Sequence, residues 1–504
     1  MPRLFKCVVV VVLAIFGIRT SAAEPATSTA TSPYLDVVRR TVDALLRTAV
    51  DRFGKQQSGM ILSVLDRENA TPLTKLPSPP AGVRQGDRCG PGGSNANLQQ
   101  DLYRSMFHLS RLTGDPQYAE AARDALLDFL RIAQSPETGL LAWGEHMFWD
   151  CVDDCPGTLY GKQIHEPKRK ILYFDLWYDA DPERTLRYAR GLWDHQIFDH
   201  KTGNFSRHAS YDKHDPRKDF DFAKEGSYFI DCWSKAYEKS RDPVYQEAVR
   251  VLTTRYLGRA NPKTRLLDCD SSKDPARVNL CVALWSISLA MESAPAAKRM
   301  DAETSKLLEQ LATEQDDAFL ALPHDFSSPD RGFICYCFAD TGKARERAEK
   351  KSNGYSRHWS MGYGINPTSM FALLSNTRQA QLGNDPRAEK YRKLVVEGAD
   401  VYRRETPNPK NDDLWAGEYG MAIFTELAAY RLTKRTEYLE AAQRLADESI
   451  AVFWDRGAPL PRASSKTKYY DCISYPDTLL LSLLALHEAV AGLTPRVEIS
   501  DLNR

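Results

Sequence analysis

The eight residues GDPQYAEA at positions 114–121 recur, with substitutions, as RDPVYQEA at positions 241–248. Weaker copies lie at 180–183, 384–389 and 435–441. Each copy has the composition of a helix start. Asp or Thr caps the free N–H groups, Pro fits the first helical position, and acidic residues follow near the positive end of the helix dipole. Apolar residues then return at helical spacing, so the pattern predicts one helix after each copy.

The distance between the copies predicts that the helices come in pairs. The aspartates at 115, 181 and 242 lie 66 and 61 residues apart, and Asp385 follows after about two further intervals. Each interval has room for two helices. Partner helices are predicted over 98–112, 220–240, 278–293, 418–432 and 475–486. We therefore expect an all-α fold, an α/α toroid of about six to seven helical hairpins in a single large domain; an open solenoid is the alternative.

Composition narrows the range of partners. Lys and Arg together number 67, as do Asp and Glu, so the formal net charge is zero. A nucleic-acid-binding protein usually carries a basic face or tail, and no such excess is present. After the amino-terminal segment, no stretch of the sequence is apolar and long enough to cross a membrane. We expect no nucleic-acid partner, no membrane span and a monomeric protein.

The amino terminus has the pattern of a secretory signal. Basic residues precede an apolar run over 7–18, and the small residues at 21–23 suit a cleavage site. This pattern predicts export to the periplasm or the cell exterior. The predicted organisation is a signal peptide over 1–23, a linker over 24–34, the barrel domain over 35–492 and a carboxy-terminal tail over 493–504.

Nine cysteines remain after the signal peptide is removed. Exported proteins can form disulfides, and the closely spaced Cys151 with Cys155 and Cys335 with Cys337 are candidate pairs. The odd number leaves at least one thiol without a partner in the chain. Buried free thiols are the alternative that the sequence leaves open.

Three separate segments carry the residue types of a metal site. His146 follows a Trp-rich loop, Glu166 follows a second histidine, and Arg207 precedes His208. Two imidazoles and one carboxylate suit a catalytic divalent metal such as Mn, Co, Ni or Zn. His165 competes as a ligand, and each of these histidines could instead be an ordinary hydrogen-bonding residue of a loop.

A longer pattern surrounds these residues. It comprises HEPK at 165–168, RYA at 187–189, RGLWD at 190–194 and SRH at 206–208, with a tyrosine at 211. Glu166 lies 20 residues after His146, and Arg207 lies 41 residues after Glu166. The segment 140–215 resembles the family 2 polysaccharide lyases, the pectate lyases with an α/α barrel. The segments 151–155 and 335–357 depart from that family's pattern.

The resemblance implies both a chemistry and a set of roles. His146, Glu166 and His208 would hold a divalent metal (Mn, Co, Ni, Ca or Zn), and Arg207 would be the catalytic base. The expected reaction is β-elimination in a pectate-like uronate chain, so an acidic polysaccharide is the expected partner. Free arginine is a poor base, because its pKa lies above about 12. Its alternative role is to bind a substrate carboxylate.

Further residues are candidates for binding the substrate. Cationic, polar and aromatic side chains can hold an acidic sugar chain, and the predicted set is Lys168, Arg357, His358, Trp143 and Tyr211. For each of them an ordinary surface or core position is the alternative.

Other functions remain open: a glycoside hydrolase or a sugar epimerase on the same barrel, and a binding protein. An inverting glycoside hydrolase needs a pair of carboxyl groups, and a sugar epimerase needs an acid and a base. The candidates are Glu145, Asp150, Glu225 and Glu418 for a hydrolase, and His208 with His358 for an epimerase. The remaining alternative is a non-enzymatic helical-repeat binding protein.

Overall fold

The computed structural model describes most of the chain. The described residues are 31–215, 221–270, 274, 276–348, 351–359, 363, 365–405, 407–410 and 412–499. The predicted signal peptide over 1–23 lies outside them. Of the predicted linker only 31–34 are described, and of the predicted tail only 493–499. The first helix begins at Pro33, inside the predicted linker.

The described residues contain fourteen α-helices. They are α1 (Pro33–Thr48), α2 (Gln100–Thr113), α3 (Gln117–Ile132), α4 (Phe174–Ala180), α5 (Pro182–Gly191), α6 (Ala223–Ser240), α7 (Pro243–Arg259), α8 (Ala283–Ala297), α9 (Ala302–Leu320), α10 (Pro367–Leu382), α11 (Pro386–Arg404), α12 (Ala416–Thr433), α13 (Thr436–Phe453) and α14 (Pro476–Val490). All five predicted partner helices are present, as α2, α6, α8, α12 and α14.

The even-numbered helices form a closed inner ring. Helices α6, α8, α10, α12 and α14 pack in that order, and α14 also packs on α2. The short helix α4 joins the ring on both sides: the Tyr173 ring packs against Phe107 of α2, and Tyr178 and Lys239 connect α4 to α6. The odd-numbered helices lie outside this ring. The predicted α/α toroid is confirmed, with seven helical pairs.

The repeated sequence marks the outer helices. Asp181, Asp242 and Asp385 each accept a backbone N–H at the start of α5, α7 and α11, as predicted. Asp115 accepts the N–H of Gln117 at the start of α3. The predicted cap at Thr436 is wrong, because Thr436 is already the first residue of α13 and the preceding Arg435 makes no side-chain cap.

Two outer helices have the same cap without a recognised copy of the repeat. Ser32 accepts the N–H of Leu35 at the start of α1, where Pro33 takes the first helical position. Asp301 accepts the N–H groups of Glu303 and Thr304 at the start of α9. The α9 start lacks the proline that follows the aspartate at 115, 181, 242 and 385, which is why the sequence pattern misses it.

The connections at the two ends of the barrel differ in length. The segment between α6 and α7 is only 241–242, whereas the segment between α3 and α4 is 133–173. In the described parts of the longer segments there are twelve short strands: β1 (Val64–Asp66), β2 (Thr71–Pro72), β3 (Gly93–Ser94), β4 (Phe148–Asp150), β5 (Cys155–Gly157), β6 (Ile164–His165), β7 (Ile197–Asp199), β8 (Asn204–Phe205), β9 (Ala209–Ser210), β10 (Leu280–Val282), β11 (Tyr336–Phe338) and β12 (Tyr469–Asp471). Because each long segment runs from an outer helix to the next inner helix, the long segments collect at one end of the barrel.

The cysteines of the described part of the chain are all free thiols. Cys335 and Cys337 lie two residues apart along one chain segment, and Cys337 instead faces Cys281 across the antiparallel pair β10–β11. Cys151 is buried while Cys155 is exposed. Neither predicted pair is therefore bonded in this structure. Within the described residues, no helix has the length and hydropathy to cross a membrane.

The ring depends on close contact between inner helices, and Gly420 tests this. A Cβ at Gly420 of α12 would lie 2.6 Å from the backbone N of Leu479 in α14. We expect Gly420→Ala to lower the free energy of unfolding by about 1–3 kcal/mol, because the two backbones must separate. Chemical denaturation followed by circular dichroism measures this change.

Gly258→Ala is the matched control for this substitution. A Cβ at Gly258 of α7 would meet no atom within 4 Å. We expect it to stabilise the protein by up to about 0.5–1 kcal/mol, since alanine is the better helix former. Equal effects of the two substitutions would contradict tight packing of α12 on α14.

Candidate functional site

Pairing of β6 with β9 brings two of the predicted ligands together. His165 of β6 lies opposite Ala209 of β9. Glu166 directly follows β6 and His208 directly precedes β9, so the antiparallel register makes the two residues neighbours. The amide N–H of His208 donates to Ser206 Oγ at 3.0 Å, which also fixes the turn before β9.

The third ligand is positioned by close contact between two backbones. Gly144 forms a parallel bridge with Glu166 and has a φ of +93°. A Cβ at Gly144 would lie 1.6 Å from the Glu166 carbonyl oxygen, so only glycine fits here. The Asn95 side-chain amide donates to the carbonyl oxygens of Gly144 and Met147, at 2.8 and 3.0 Å. These contacts hold both sides of His146.

His146, Glu166 and His208 converge as predicted. Glu166 Oε2 lies 2.9 Å from His146 Nε2 and 3.0 Å from His208 Nε2, and the two nitrogens lie 3.3 Å apart. Among the described residues, this is the one group of three or more His, Cys, Asp or Glu side chains with the spacing of a metal site. Two imidazole nitrogens and one carboxylate oxygen form a donor set for a divalent transition metal. His165 is not part of the group.

Arg207 contacts the second carboxylate oxygen of Glu166, the one that faces away from the two imidazoles. Arg207 Nη1 donates to Glu166 Oε1 at 2.6 Å and lies 3.9 Å from Glu145 Oε2. The side chain of Gln196, in the π-helical turn that follows α5, donates to the Arg207 carbonyl oxygen at 2.8 Å. The guanidinium therefore sits beside the candidate metal site on a fixed backbone.

Glu145 connects the site to two further cations. Its Oε1 lies 3.1 Å from Lys168 Nζ and 3.1 Å from Arg84 Nη2. The backbone N–H of Lys168 donates to Asn97 Oδ1 at 2.9 Å, and this bond anchors the loop that carries Lys168. Lys168 is the predicted substrate-binding residue that the structure brings to the site.

Neighbouring charges shift the protonation equilibria of the site. Burial disfavours a charged His146, but the neighbouring carboxylates of Asp87 and Glu166 outweigh it and raise the pKa of His146 to about 9. Burial also opposes the charge of Glu166, yet Arg207 and the two imidazoles hold the pKa of Glu166 well below its usual range. Burial lowers the pKa of His165 to about 3, so His165 is neutral.

Two predicted substrate-binding aromatics lie in the core. The Trp143 ring is 2% exposed and packs against Phe129, Trp177 and Tyr188, and its indole N–H donates to His165 Nε2. Tyr211 is also buried, and its hydroxyl donates to a backbone carbonyl oxygen at 3.1 Å. In this structure neither ring offers a face to a sugar, which corrects the prediction.

Arg357 and His358 lie at a different surface. Both line a cavity of about 460 Å³ together with Tyr355 and Trp359. His358 is buried, with Nδ1 2.8 Å from Glu405 Oε2 and Nε2 2.9 Å from a backbone carbonyl oxygen. The structure thus gives His358 structural partners, and neither residue has a described contact with His146, Glu166 or His208.

The acids proposed for a hydrolase are dispersed. Glu145 faces Arg207, but Asp150 accepts the N–H groups of a turn that follows β4. Glu225 pairs with Lys224 at 3.1 Å, and Glu418 accepts a backbone N–H at the start of α12. These contacts give three of the four acids a local structural role.

Sequence reasoning missed Arg84, Asp87 and Tyr363. Arg84 Nε lies 2.7 Å from Asp87 Oδ2, and the Tyr363 hydroxyl donates to the same oxygen at 2.5 Å. Asp87 Oδ1 lies 3.5 Å from His146 Nδ1. The spacing of Arg84 and Asp87 is the one local signal for this group, because Tyr363 lies 276 residues further along the chain.

The fold and this cluster define an α/α barrel with a candidate metal centre at the end that carries the long connections. Residues 85–246 match the family of periplasmic pectate lyases. This match confirms the resemblance to the family 2 polysaccharide lyases that residues 140–215 indicate. The matched range contains the three candidate ligands and Arg207.

A shorter part of the chain is also similar to a curated pectate lyase. A pectate disaccharide-lyase of Dickeya dadantii (strain 3937) is 27% identical over 120 residues, which are 23% of this chain and 22% of the relative. The match thus spans less than a quarter of that protein.

Two of the solved structures to which this chain is similar are an epimerase and a hydrolase. A cellobiose 2-epimerase from Bacillus thermoamylovorans B4167 is 11% identical, with a TM-score of 0.47 over 90% of this chain and 99% of its own. An unsaturated glucuronyl hydrolase specific for heparin is 10% identical, with a TM-score of 0.44 over 91% and 98%.

The contact between Gly144 and Glu166 leads to a testable expectation. We expect Gly144→Ala to lower the free energy of unfolding by about 3 kcal/mol or more, since the new Cβ overlaps a backbone oxygen and the φ is positive. Gly114→Ala is the control: its φ is +75° and its Cβ would meet nothing within 4 Å. Denaturant titration should show that Gly114→Ala costs only about 1 kcal/mol. Equal losses would mean that the Gly144 loop moves aside freely.

Proposed function

We propose that this protein is an exported, metal-dependent polysaccharide lyase that cleaves pectate-like uronate chains by β-elimination. The observation that carries the proposal is the position of Arg207, 2.6 Å from the Glu166 carboxylate that the two imidazoles share. The family match over 85–246 supports the same chemistry. The family's description as periplasmic and the predicted signal peptide support export.

The three candidate ligands fit a divalent ion. Donors about 2.1 Å from an ion and at right angles to one another lie about 3 Å apart. The distances among His146 Nε2, Glu166 Oε2 and His208 Nε2 are 2.9, 3.0 and 3.3 Å. Two nitrogen donors favour Mn, Co, Ni or Zn over Ca, which prefers oxygen. When bound, the ion would attract the substrate carboxylate and stabilise the negative charge that develops beside it.

The chain's own residues would bind and orient the uronate. Lys168 and Arg84 present positive charge on one side of Glu145, and Arg207 presents its guanidinium on the other. A uronate carboxylate would meet these groups at the mouth of the barrel. Charge-assisted hydrogen bonds of this kind fix orientation as well as affinity.

In the proposed reaction, Arg207 receives the proton from the ring carbon beside the carboxylate. The electrons of that C–H bond form the new double bond, and the bond to the glycosidic oxygen across the ring breaks. The leaving oxygen takes a proton from solvent. Arginine can accept a proton only where its charged form is disfavoured. The Glu166 carboxylate at 2.6 Å favours the charged form, so this role requires that a bound ion, instead of Arg207, compensate the charge of Glu166.

Product detection separates this proposal from its alternatives. We expect incubation with polygalacturonate to produce the ultraviolet absorbance of a 4,5-unsaturated uronate. A chelator should abolish this signal, and added Mn²⁺, Co²⁺, Ni²⁺ or Zn²⁺ should restore it. A hydrolase or an epimerase would act on its substrate without forming this chromophore, and a binding protein would form no product.

Arg207→Lys tests the proposed base. We expect turnover to fall by about 10²–10⁴-fold, which is the usual contribution of general-base catalysis. Lysine keeps the charge but lacks the planar fork, so the affinity for a uronate oligomer should change far less. Metal content should equal that of the wild type, because the ligands are intact. Steady-state kinetics and metal analysis measure the three quantities.

Arg190→Lys is the control for this substitution. Arg190 is exposed and pairs with Asp194 at 2.9 Å, so its replacement should leave turnover unchanged. If Arg207→Lys keeps its turnover and loses affinity instead, Arg207 binds a substrate carboxylate and the base is another group.

A further inference from the structure

We propose that Asp87 is a positioning residue that orients His146 for metal binding, and that Tyr363 and Arg84 hold Asp87 in place. This inference rests on the metal site of the proposed function. It adds an outer layer to that site, which reaches the candidate ligand His146 from the side opposite Glu166.

The two ring nitrogens of His146 face different partners. Nε2 points to Glu166 and His208, whereas Nδ1 lies 3.5 Å from Asp87 Oδ1. A histidine that binds a metal through one nitrogen usually donates its other N–H to a carboxylate, a carbonyl oxygen or water. Such a bond fixes the tautomer, so that the metal-facing nitrogen keeps its lone pair. Asp87 is the carboxylate in that position.

Burial makes this contact specific. The side chain of Asp87 is fully buried and that of His146 is 3% exposed. Asp87 Oδ1 and His146 Nδ1 are both buried without another hydrogen-bond partner. A buried polar atom that lacks a partner costs about 1–3 kcal/mol. Each of these atoms is an available partner for the other, and a shift of a few tenths of an ångström brings them within hydrogen-bond distance.

The other oxygen of Asp87 is already held by two groups. The Tyr363 hydroxyl donates to Oδ2 at 2.5 Å, and Arg84 Nε donates to it at 2.7 Å. With Oδ2 fixed, the carboxyl plane cannot turn Oδ1 away from His146 without breaking both bonds. The same Arg84 reaches Glu145 through Nη2, so the outer layer also touches the carboxylate beside Arg207.

These residues come from distant parts of the chain. Asp87 lies in the segment before α2, and Tyr363 lies in the segment before α10. Tyr363 is outside the residues that match the pectate lyase family, 85–246. Its ring also lies 5.5 Å from Lys168 Nζ. The second half of the barrel therefore reaches the candidate metal site through Tyr363.

Metal titration of the intact protein tests this inference without an activity assay. We expect Asp87→Asn to weaken the binding of Zn²⁺ by about 10–100-fold, the usual effect of losing such a partner. Isothermal titration of the metal-free protein with Zn²⁺ gives the dissociation constant. Tyr363→Phe keeps the carboxylate and removes one of its two supports, so it should weaken Zn²⁺ binding in the same direction by a smaller factor.

Two control variants separate positioning from general stability. Asp316→Asn removes a buried carboxylate that pairs with Arg378 at 2.6 Å on α9, in another part of the barrel. Tyr469→Phe removes a hydroxyl that donates to the Ser78 carbonyl oxygen. Both should change the unfolding midpoint of the metal-free protein while the Zn²⁺ dissociation constant stays within about twofold of the wild-type value.

The possible results are distinct. If the wild-type protein binds no divalent metal, the metal-dependent function fails and this inference fails with it. If the wild type binds Zn²⁺ and a folded Asp87→Asn protein binds it equally well, the role of Asp87 is overturned while the proposed function stands. If Asp87→Asn does not fold, Tyr363→Phe decides, and its unchanged affinity would overturn the inference.

Discussion

A single buried carboxylate imposes the strongest constraint on this site. Glu166 is 1% exposed, and an isolated charge at such a position would be costly. The chain compensates it with Arg207 on one oxygen and with His146 and His208 on the other. These groups come from two long connections of the barrel. The charge of Glu166 can be buried only if both connections adopt one arrangement. The contacts that fold these loops are therefore the same contacts that form the site.

The toroid supplies the frame for that arrangement. Aspartate and serine caps fix the start of most outer helices, and the short turns before them leave little room for functional groups. The long segments at the other end carry the strands, the close approach of Gly144 to Glu166 and every charged residue of the site. They also lead into the amino-terminal ends of the inner helices, where the helix dipole is positive. The proposed acidic substrate would therefore meet a favourable field at that end.

Sequence reasoning reached the frame and the centre of the site but not its surroundings. The copies at 114–121 and 241–248 repeat because each begins an outer helix. Helix capping depends on residues close together in sequence, so the sequence alone predicts it. Residue types alone suggest His146, Glu166 and His208 as metal ligands but leave His165 as a competitor, and the resemblance of the surrounding segment to a known family selects the three. Whether an aromatic ring lies in the core or in a cleft depends on tertiary packing, which the local sequence around Trp143 does not reveal. The contact of Asp87 with Tyr363 has no local signal at all.

The balance of charge in the site connects the metal with the substrate. Glu166, Glu145 and Asp87 carry three negative charges, and Arg207, Lys168 and Arg84 carry three positive charges in direct contact with them. Since the pKa of His146 is raised to about 9, His146 is charged near neutral pH and this group carries an excess of one positive charge before an ion binds. A divalent ion at the proposed position would leave an excess of two positive charges. In a partly buried site that excess acts through a low effective dielectric, so it is strong at short range. The arrangement therefore favours an acidic chain more strongly when the ion is bound, which gives one electrostatic reason for the proposed metal dependence and for the proposed selection of a uronate over a neutral sugar.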